Sequence, residues 1–485
     1  MLHTLQTLVL LACFLGQVVS TPGRKPVLVP RSEQALHCGG QSSDAFFNYS
    51  SFMGQGAAAP GCSMAYVSLA TLQRSWFTDL EHELQQTAPD AYIVPQIGLN
   101  LPHGGALAGV GNGTYDAQIA ELVAGLSLLG RPTYVRVGYE FNGQWNNYPP
   151  SAYVSAWERI VGAWRADATL ASTTAAVWDY SCDAAPSRLN WTSYLPLGTA
   201  YQPDWWGINI FSDNSSPSSA CVSRFVAAAE AAAMPVMLGE STPRSLNAAD
   251  APLALISSDM NTSNCIAVAG GSSSGDHASI VTWECHENPD KLWRITVPEG
   301  FLVNRDGKCV ALDAGAVATG MSPGLAVAGE CGGTDAGPKA IRGWHTTAAG
   351  QLTTGSGQCL VAASAARGSP LELRPCDDAA SSSSGGQWSW INSTAGGGDA
   401  VWNAWFEPYL ELIAQPTVQA FCYINWFWPR RSNHESFNWY DWGDARVENT
   451  TIVGPKLRAA LGSSGGGIVN AQPTRAALCA ELGCT

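Results

Sequence analysis

The chain has 485 residues, 46% hydrophobic and only 13% charged. That content excludes a disordered protein, and the length suits two or three domains or one large barrel with a smaller companion. A net charge of -14 leaves no basic face, which excludes nucleic acid as the main partner.

Residues 1–20 read as a secretory signal: the apolar stretch from Leu8 to Val19 is followed by small Ser20 and polar Thr21–Pro26, although no Lys or Arg precedes it. Fourteen cysteines and seven Asn-x-Ser/Thr sites, at Asn48, Asn112, Asn190, Asn214, Asn261, Asn392 and Asn449, agree with secretion into an oxidising, extracellular setting. No other apolar run approaches the ~18 residues of a membrane helix, so no membrane partner is expected. The 19 tryptophans are too many to be core alone, because Trp is rarely fully buried. Stacking on sugar rings is the leading use for exposed ones.

Candidate strands follow in order at Leu36–Gln41, Met64–Leu69, Tyr92–Ile97, Thr133–Tyr139, Thr174–Trp178, Trp206–Phe211 and Pro235–Gly239, with an eighth at Ala420–Phe427. They lack clean alternation, as strands buried on both faces do. Helical stretches lie between most of them. The clearest carries Tyr153, Trp157, Ile160, Val161 and Trp164 on one stripe after Pro149-Pro150-Ser151. Eight strands in β/α alternation over about 335 residues, the 485 less the signal and a central insert, predict an α/β chain with a (β/α)8 TIM barrel.

The barrel pattern breaks between Thr242 and Trp402, where Gly and Ser dominate and cysteines fall in three pairs. Cys265 with Cys285, Cys309 with Cys331 and Cys359 with Cys376 enclose similar loops, each followed by a Trp-centred strand around Trp293, Trp344 or Trp388. Spacings of 17–22 residues lack the close pairs of zinc sites, so disulfides are expected and no metal. The threefold repeat predicts an inserted β-trefoil. The expected division is signal 1–20, first barrel part 21–261, insert 262–392, and last barrel part with tail 393–485. The insert resembles the ricin-type lectin repeat, which runs from C-L-D to Q-x-W. That family's sugar-holding Asp is replaced by Ala267, Ala311 and Val361, with Asp313 the nearest carboxylate. Its Gln is replaced by Lys291, Arg342 and Gly386. Of the other cysteines, Cys182 and Cys221 follow strands at one rim and are expected to pair, Cys479 and Cys484 form a tail pair, and Cys422 is left free.

Barrel active sites form at the carboxyl ends of the strands. Glu140 directly follows strand four and Glu240 strand seven, positions where an idle charge is costly. Two facing carboxylates suit glycoside hydrolysis, one protonating the leaving oxygen while the other attacks the anomeric carbon or activates water. The stretch Arg136-Val137-Gly138-Tyr139-Glu140-Phe141-Asn142-Gly143-Gln144-Trp145 resembles the R-x-x-H-E-x-N-G-x-W of clan A glycoside hydrolases, closest to family 26, the β-mannanases. By that resemblance Glu140 is the acid/base and Glu240 the nucleophile of a retaining enzyme, with Arg136 the candidate cation beside it. Two departures stand out. Tyr139 replaces a sugar-touching His, and Phe211 stands where a strand-six Tyr would steady the nucleophile, leaving Tyr180 or Tyr423 as substitutes.

Trp145, Trp178, Trp426 and Trp428 are the candidate sugar platforms, and Asn142, Asp179 and Asn209 the candidate hydroxyl partners, with His103 at the third strand end a further rim residue. The expectation is a secreted, monomeric, cofactor-free hydrolase of β-linked polysaccharide, with mannan-like or other β-glycan as substrate and a lectin module. The alternative is a non-catalytic carbohydrate-binding or structural protein on a retired barrel.

Overall fold

A computed structural model describes residues 24–31, 34–56, 58–196, 198–211, 213–244, 246, 253–271, 278–286, 288–296, 300–305, 308–312, 325–328, 331, 339–376, 385–392, 398–428, 444–463 and 467–484. The signal segment and Asp313 lie outside these residues.

Eight parallel strands form the barrel: β1 (Ala35–Gly39), β2 (Cys62–Ser68), β3 (Val94–Asn100), β4 (Thr133–Val137), β5 (Thr174–Ser181), β6 (Trp205–Ile210), β7 (Val236–Ser241) and β8 (Val418–Tyr423). Each pairs with the next, β8 pairs with β1, and β1 with β2 through Cys38↔Cys62, so the sheet closes. The result is a (β/α)8 barrel. The strands are buried on both faces. Alternate side chains therefore serve two cores: Met64, Val94, Tyr134, Val177, Trp205, Met237, Ala420 and Cys422 fill the interior, while their neighbours Val135, Trp178, Ile208 and Leu238 pack under the helices.

Helix Pro150–Arg165 starts with Pro in its first turn and buries Tyr153, Ala156, Trp157, Ile160, Val161 and Trp164. Pro fits there because its missing N–H would have no helical partner. Each large side chain removed from water on that stripe is worth about 1.5–3 kcal/mol. Ser42, Asp167, Ser219 and Thr474 cap other helices by accepting from backbone N–H groups.

β7 carries one irregularity. Between Leu238 and Ser241 it spends two residues, Gly239 and Glu240, where β6 has only Asn209 and β8 only Cys422. Strict alternation from inward Met237 would point Glu240 at the helices. The bulge turns it inward, and Ser241 faces Tyr409 of the outer layer. Gly239 has to be glycine: a Cβ there would lie 2.4 Å from Asp179 Oδ2.

Between β7 and β8 the chain forms a second body of antiparallel strands, which already includes Ala254–Ser258, ahead of the expected start at 262. That strand pairs with Trp388–Asn392, so the segment's entry and exit are zipped together. Trp293, Trp344 and Trp388 are buried in its core. The indole N–H of Trp293 donates to Ile266 O and that of Trp388 to Leu360 O, both at 2.9 Å. The corresponding carbonyl in the middle unit, Val310 O, accepts from Ile341 N–H instead, and the Trp344 N–H has no partner among the described residues. The body holds three disulfides, Cys265–Cys285, Cys309–Cys331 and Cys359–Cys376. Elsewhere Cys38 bonds Cys62, Cys182 bonds Cys221 and Cys479 bonds Cys484; Cys422 is free and buried.

Candidate active site

At the carboxyl end of the barrel, inward side chains of β4, β5, β6 and β7 converge. Arg136 is fully buried, with Nη1 2.7 Å from Glu240 Oε1 and donating to Asp179 Oδ2 at 3.0 Å. Burial opposes the guanidinium charge, yet the negative charges around it, Glu240 foremost, keep it firmly protonated. Asp179 is pushed up to about 6 by burial, against the pull of Arg136. Glu240 is 9% exposed, enough to meet a ligand from above.

Glu140 leaves the end of β4 in a left-handed backbone conformation, φ +51°, two residues after Gly138 at φ +60°. Asn146 Nδ2 donates to the carbonyls of Tyr139 and Glu140 at 2.9 and 3.0 Å, and Phe141 N–H donates to Asp179 O at 3.1 Å. These bonds fix the turn that aims the carboxyl group inward. Asn209 Nδ2 donates to Glu140 Oε1 at 3.1 Å. Burial pushes the Glu140 carboxyl up to about 8, the Glu240 charge adds to the rise, and the Asn209 bond opposes it. One carboxyl group thus holds its proton at neutral pH while the other faces a guanidinium, the arrangement that acid and nucleophile require.

Tyr139 lies over Arg136, its ring centroid 5.0 Å from the guanidinium carbon. Trp145 is half-buried at the rim, folded over Gly143, where a Cβ would come within 2.4 Å of the indole. The exposed His103 donates from Nδ1 to Trp145 O at 3.2 Å. Trp426 and Trp428 are half-buried against the interior core.

Several expected ligand contacts have other tasks. Trp178 is not a platform: it points away from the barrel, stacks on Phe141 at 4.4 Å and donates to Tyr194 O. Its inward neighbours are Val177 and Asp179, so alternation alone puts it in the outer core. Asn142 is not free for sugar, because its amide exchanges hydrogen bonds with the Ser181 backbone, donating to O at 2.8 Å and accepting from N–H at 2.9 Å. It clasps the β4 and β5 loops together. Asp179 is fully buried beneath the dyad as an Arg136 partner, and Asn209 serves Glu140. Neither proposed Tyr reaches Glu240: Tyr180 donates to Leu189 O and Tyr423 to Ala445 O. Two residues of the site carried no signal in the sequence. Gln96 on β3 donates to Gly239 O at 3.0 Å, bracing the bulge. Tyr66 on β2 packs edge-on against Tyr139 and flanks Arg136.

No family model matches the chain. Among curated proteins it is similar to the β-1,3-xylanase TXYA of Vibrio sp., 27% identical over 224 residues covering 44% of this chain and 45% of that protein. A β-1,3-xylanase of Alcaligenes sp. is 26% identical over 232 residues, 46% of each. The chain thus spans about half the length of the curated relatives it matches. GH26A from Muricauda sp. overlaps 44% of this chain and 79% of its own at 15% identity and a TM-score of 0.34.

Proposed function

We propose that the barrel is a retaining glycoside hydrolase acting on a β-linked polysaccharide. The observation that carries this reading is the pairing of Glu140, held protonated near neutrality, with Glu240 ion-paired to Arg136. Glu140 donates its proton to the glycosidic oxygen as Glu240 attacks the anomeric carbon. The bond to the leaving sugar breaks and a glycosyl ester forms on Glu240. Glu140, now ionised, takes a proton from water, which displaces Glu240 and restores both groups. Tyr139, Trp145, Trp426 and Trp428 are assigned as its sugar contacts.

Mannan-like chains and other β-glycans are the candidate substrates. The names of the two bacterial relatives favour adding 1,3-xylan. The inserted body is read as a ricin-type β-trefoil whose sugar pockets, Asp313 included, hold the enzyme on polymer by raising local substrate concentration. Its three disulfide-closed units, two with matching Trp-to-carbonyl bonds, support that reading. Secretion is proposed on the leader-like first residues and the six disulfides.

The test is release of reducing ends from mannan, mixed-linkage glucan, xylan, 1,3-xylan and 1,3-glucan. Wild-type activity on one of them should fall about 10⁴-fold or more in Glu240→Gln and about 10²–10⁴-fold in Glu140→Ala. Equal release by wild type and Glu240→Gln would remove the reading. An inverted anomeric product by NMR would remove the covalent step.

A further inference from the structure

We propose that Tyr66, near the carboxyl end of β2, is a positioning residue that orients the Glu240 nucleophile by donating its phenolic hydrogen to that carboxylate. The inference rests on the hydrolase reading above. A carboxylate attacks productively in only a narrow range of rotations about its last bond, and Arg136 Nη1 approaches it at Oε1, 2.7 Å away. A second contact is needed to stop rotation. The strand-six position offers none, because Phe211 has no hydroxyl, and Tyr180 and Tyr423 are bonded to backbone carbonyls elsewhere.

Tyr66 meets the requirement from the opposite side of the barrel. Its ring lies edge-on to Tyr139, centroids 5.6 Å apart, and 5.4 Å from the Arg136 guanidinium carbon, so the cation sits against both phenol rings at the corner they make. The Tyr66 hydroxyl oxygen is sealed from solvent and makes no aligned hydrogen bond. A sealed donor without an acceptor is costly, so a facing acceptor is expected. Glu240 is the acceptor at hand: its Oε1 lies 2.7 Å from Nη1 of the same guanidinium that the Tyr66 ring flanks, and, after burial, its charge contributes most to raising the phenol. Space for this comes from β3. Gly98 pairs with Tyr66 in the strand register, and a Cβ on it would come 2.6 Å from Tyr66 Cδ1 and 3.2 Å from Arg136 Nη2.

The experiment compares wild type, Tyr66→Phe, Gly98→Ala and the control Tyr180→Phe on the most active polymer of the panel, with thermal melting of each. Tyr66→Phe should lower kcat about 100-fold, as loss of one aimed donor does. KM should stay within about twofold and the melting temperature within a few degrees, because binding and packing keep their contacts. Gly98→Ala, which keeps the hydroxyl but displaces the ring, should also lower kcat, and Tyr180→Phe should not. A Tyr66→Phe enzyme with kcat within about threefold of an active wild type overturns the role and leaves the hydrolase reading standing. A loss carried by KM or by melting temperature also overturns it, assigning Tyr66 to substrate binding or packing. A wild type inactive on every polymer overturns both.

Discussion

The barrel and the inserted body solve opposite problems. The barrel surrounds a buried charge cluster at its carboxyl end, Arg136 with Asp179 and Glu240, with a large apolar core on both faces of its sheet. The insert has short strands and small cores, and each of its three units is closed covalently. A large core tolerates electrostatic strain at one point and so can host chemistry. A body built of small cores cannot spare that margin and relies on loop closure.

The widest separation between the two should come from Arg136→Met. It leaves two buried carboxylates facing each other, and the barrel should lose about 3–5 kcal/mol. Urea unfolding followed by hydrogen exchange would read this in barrel strands while the insert keeps its own transition. If both melt together, the two bodies are one cooperative unit. The converse is Cys265→Ser with Cys285→Ser, which should destabilise the insert by about 2–4 kcal/mol and leave hydrolysis of short soluble oligosaccharides unchanged.

A pH series sharpens the contrast. Glu140 titrates near 8 in the fold against an ordinary value of 4.5, so the native barrel holds a proton that the unfolded chain has released. Its contribution is intact below about 4.5 and falls away as pH rises to about 8. Glu140→Gln should therefore lose less melting temperature than wild type between pH 5 and 8. The activity that depends on Glu140 as acid should decline on the alkaline side near the same pH 8. His37 acts with the opposite sign. Buried between Tyr49 and Asn470, it is lowered to about 4 from 6.5, so stability present above 6.5 is lost as pH falls toward 4. His37→Gln should flatten that acid limb. The smallest effect concerns Cys422. It should resist thiol reagents in the folded protein and label once residues 24–484 unfold without reductant, as six disulfides and one free cysteine require.

Much of the barrel was legible because its elements differ in period. The Tyr153–Trp164 stripe and the eight apolar runs mark helix and strands, and Glu140 follows an apolar strand as an isolated acid. Facing directions were less legible. A strand buried on both sides shows no polar alternation, so nothing local says that Trp178 faces helices while Asp179 faces the interior. Glu240 was placed just past the end of strand seven, yet the bulge carries β7 through Ser241. Asn142 matched a sugar-site motif while its amide serves the Ser181 backbone. Tyr66 sat within a strand run with no acidic neighbour, and only closure of the sheet brings it against Tyr139 and Arg136.

The left-handed turn at residue 140 has a consequence for any inactive version of this protein. A side chain there keeps the backbone in a conformation that glycine would adopt more easily. Alanine or glutamine would remove the acid but inherit the conformational tension, whereas glycine would release both. A lineage freed from the need for hydrolysis would then drift toward glycine at this one position, and the residue found there in a descendant would report whether its ancestor was still under selection to cut.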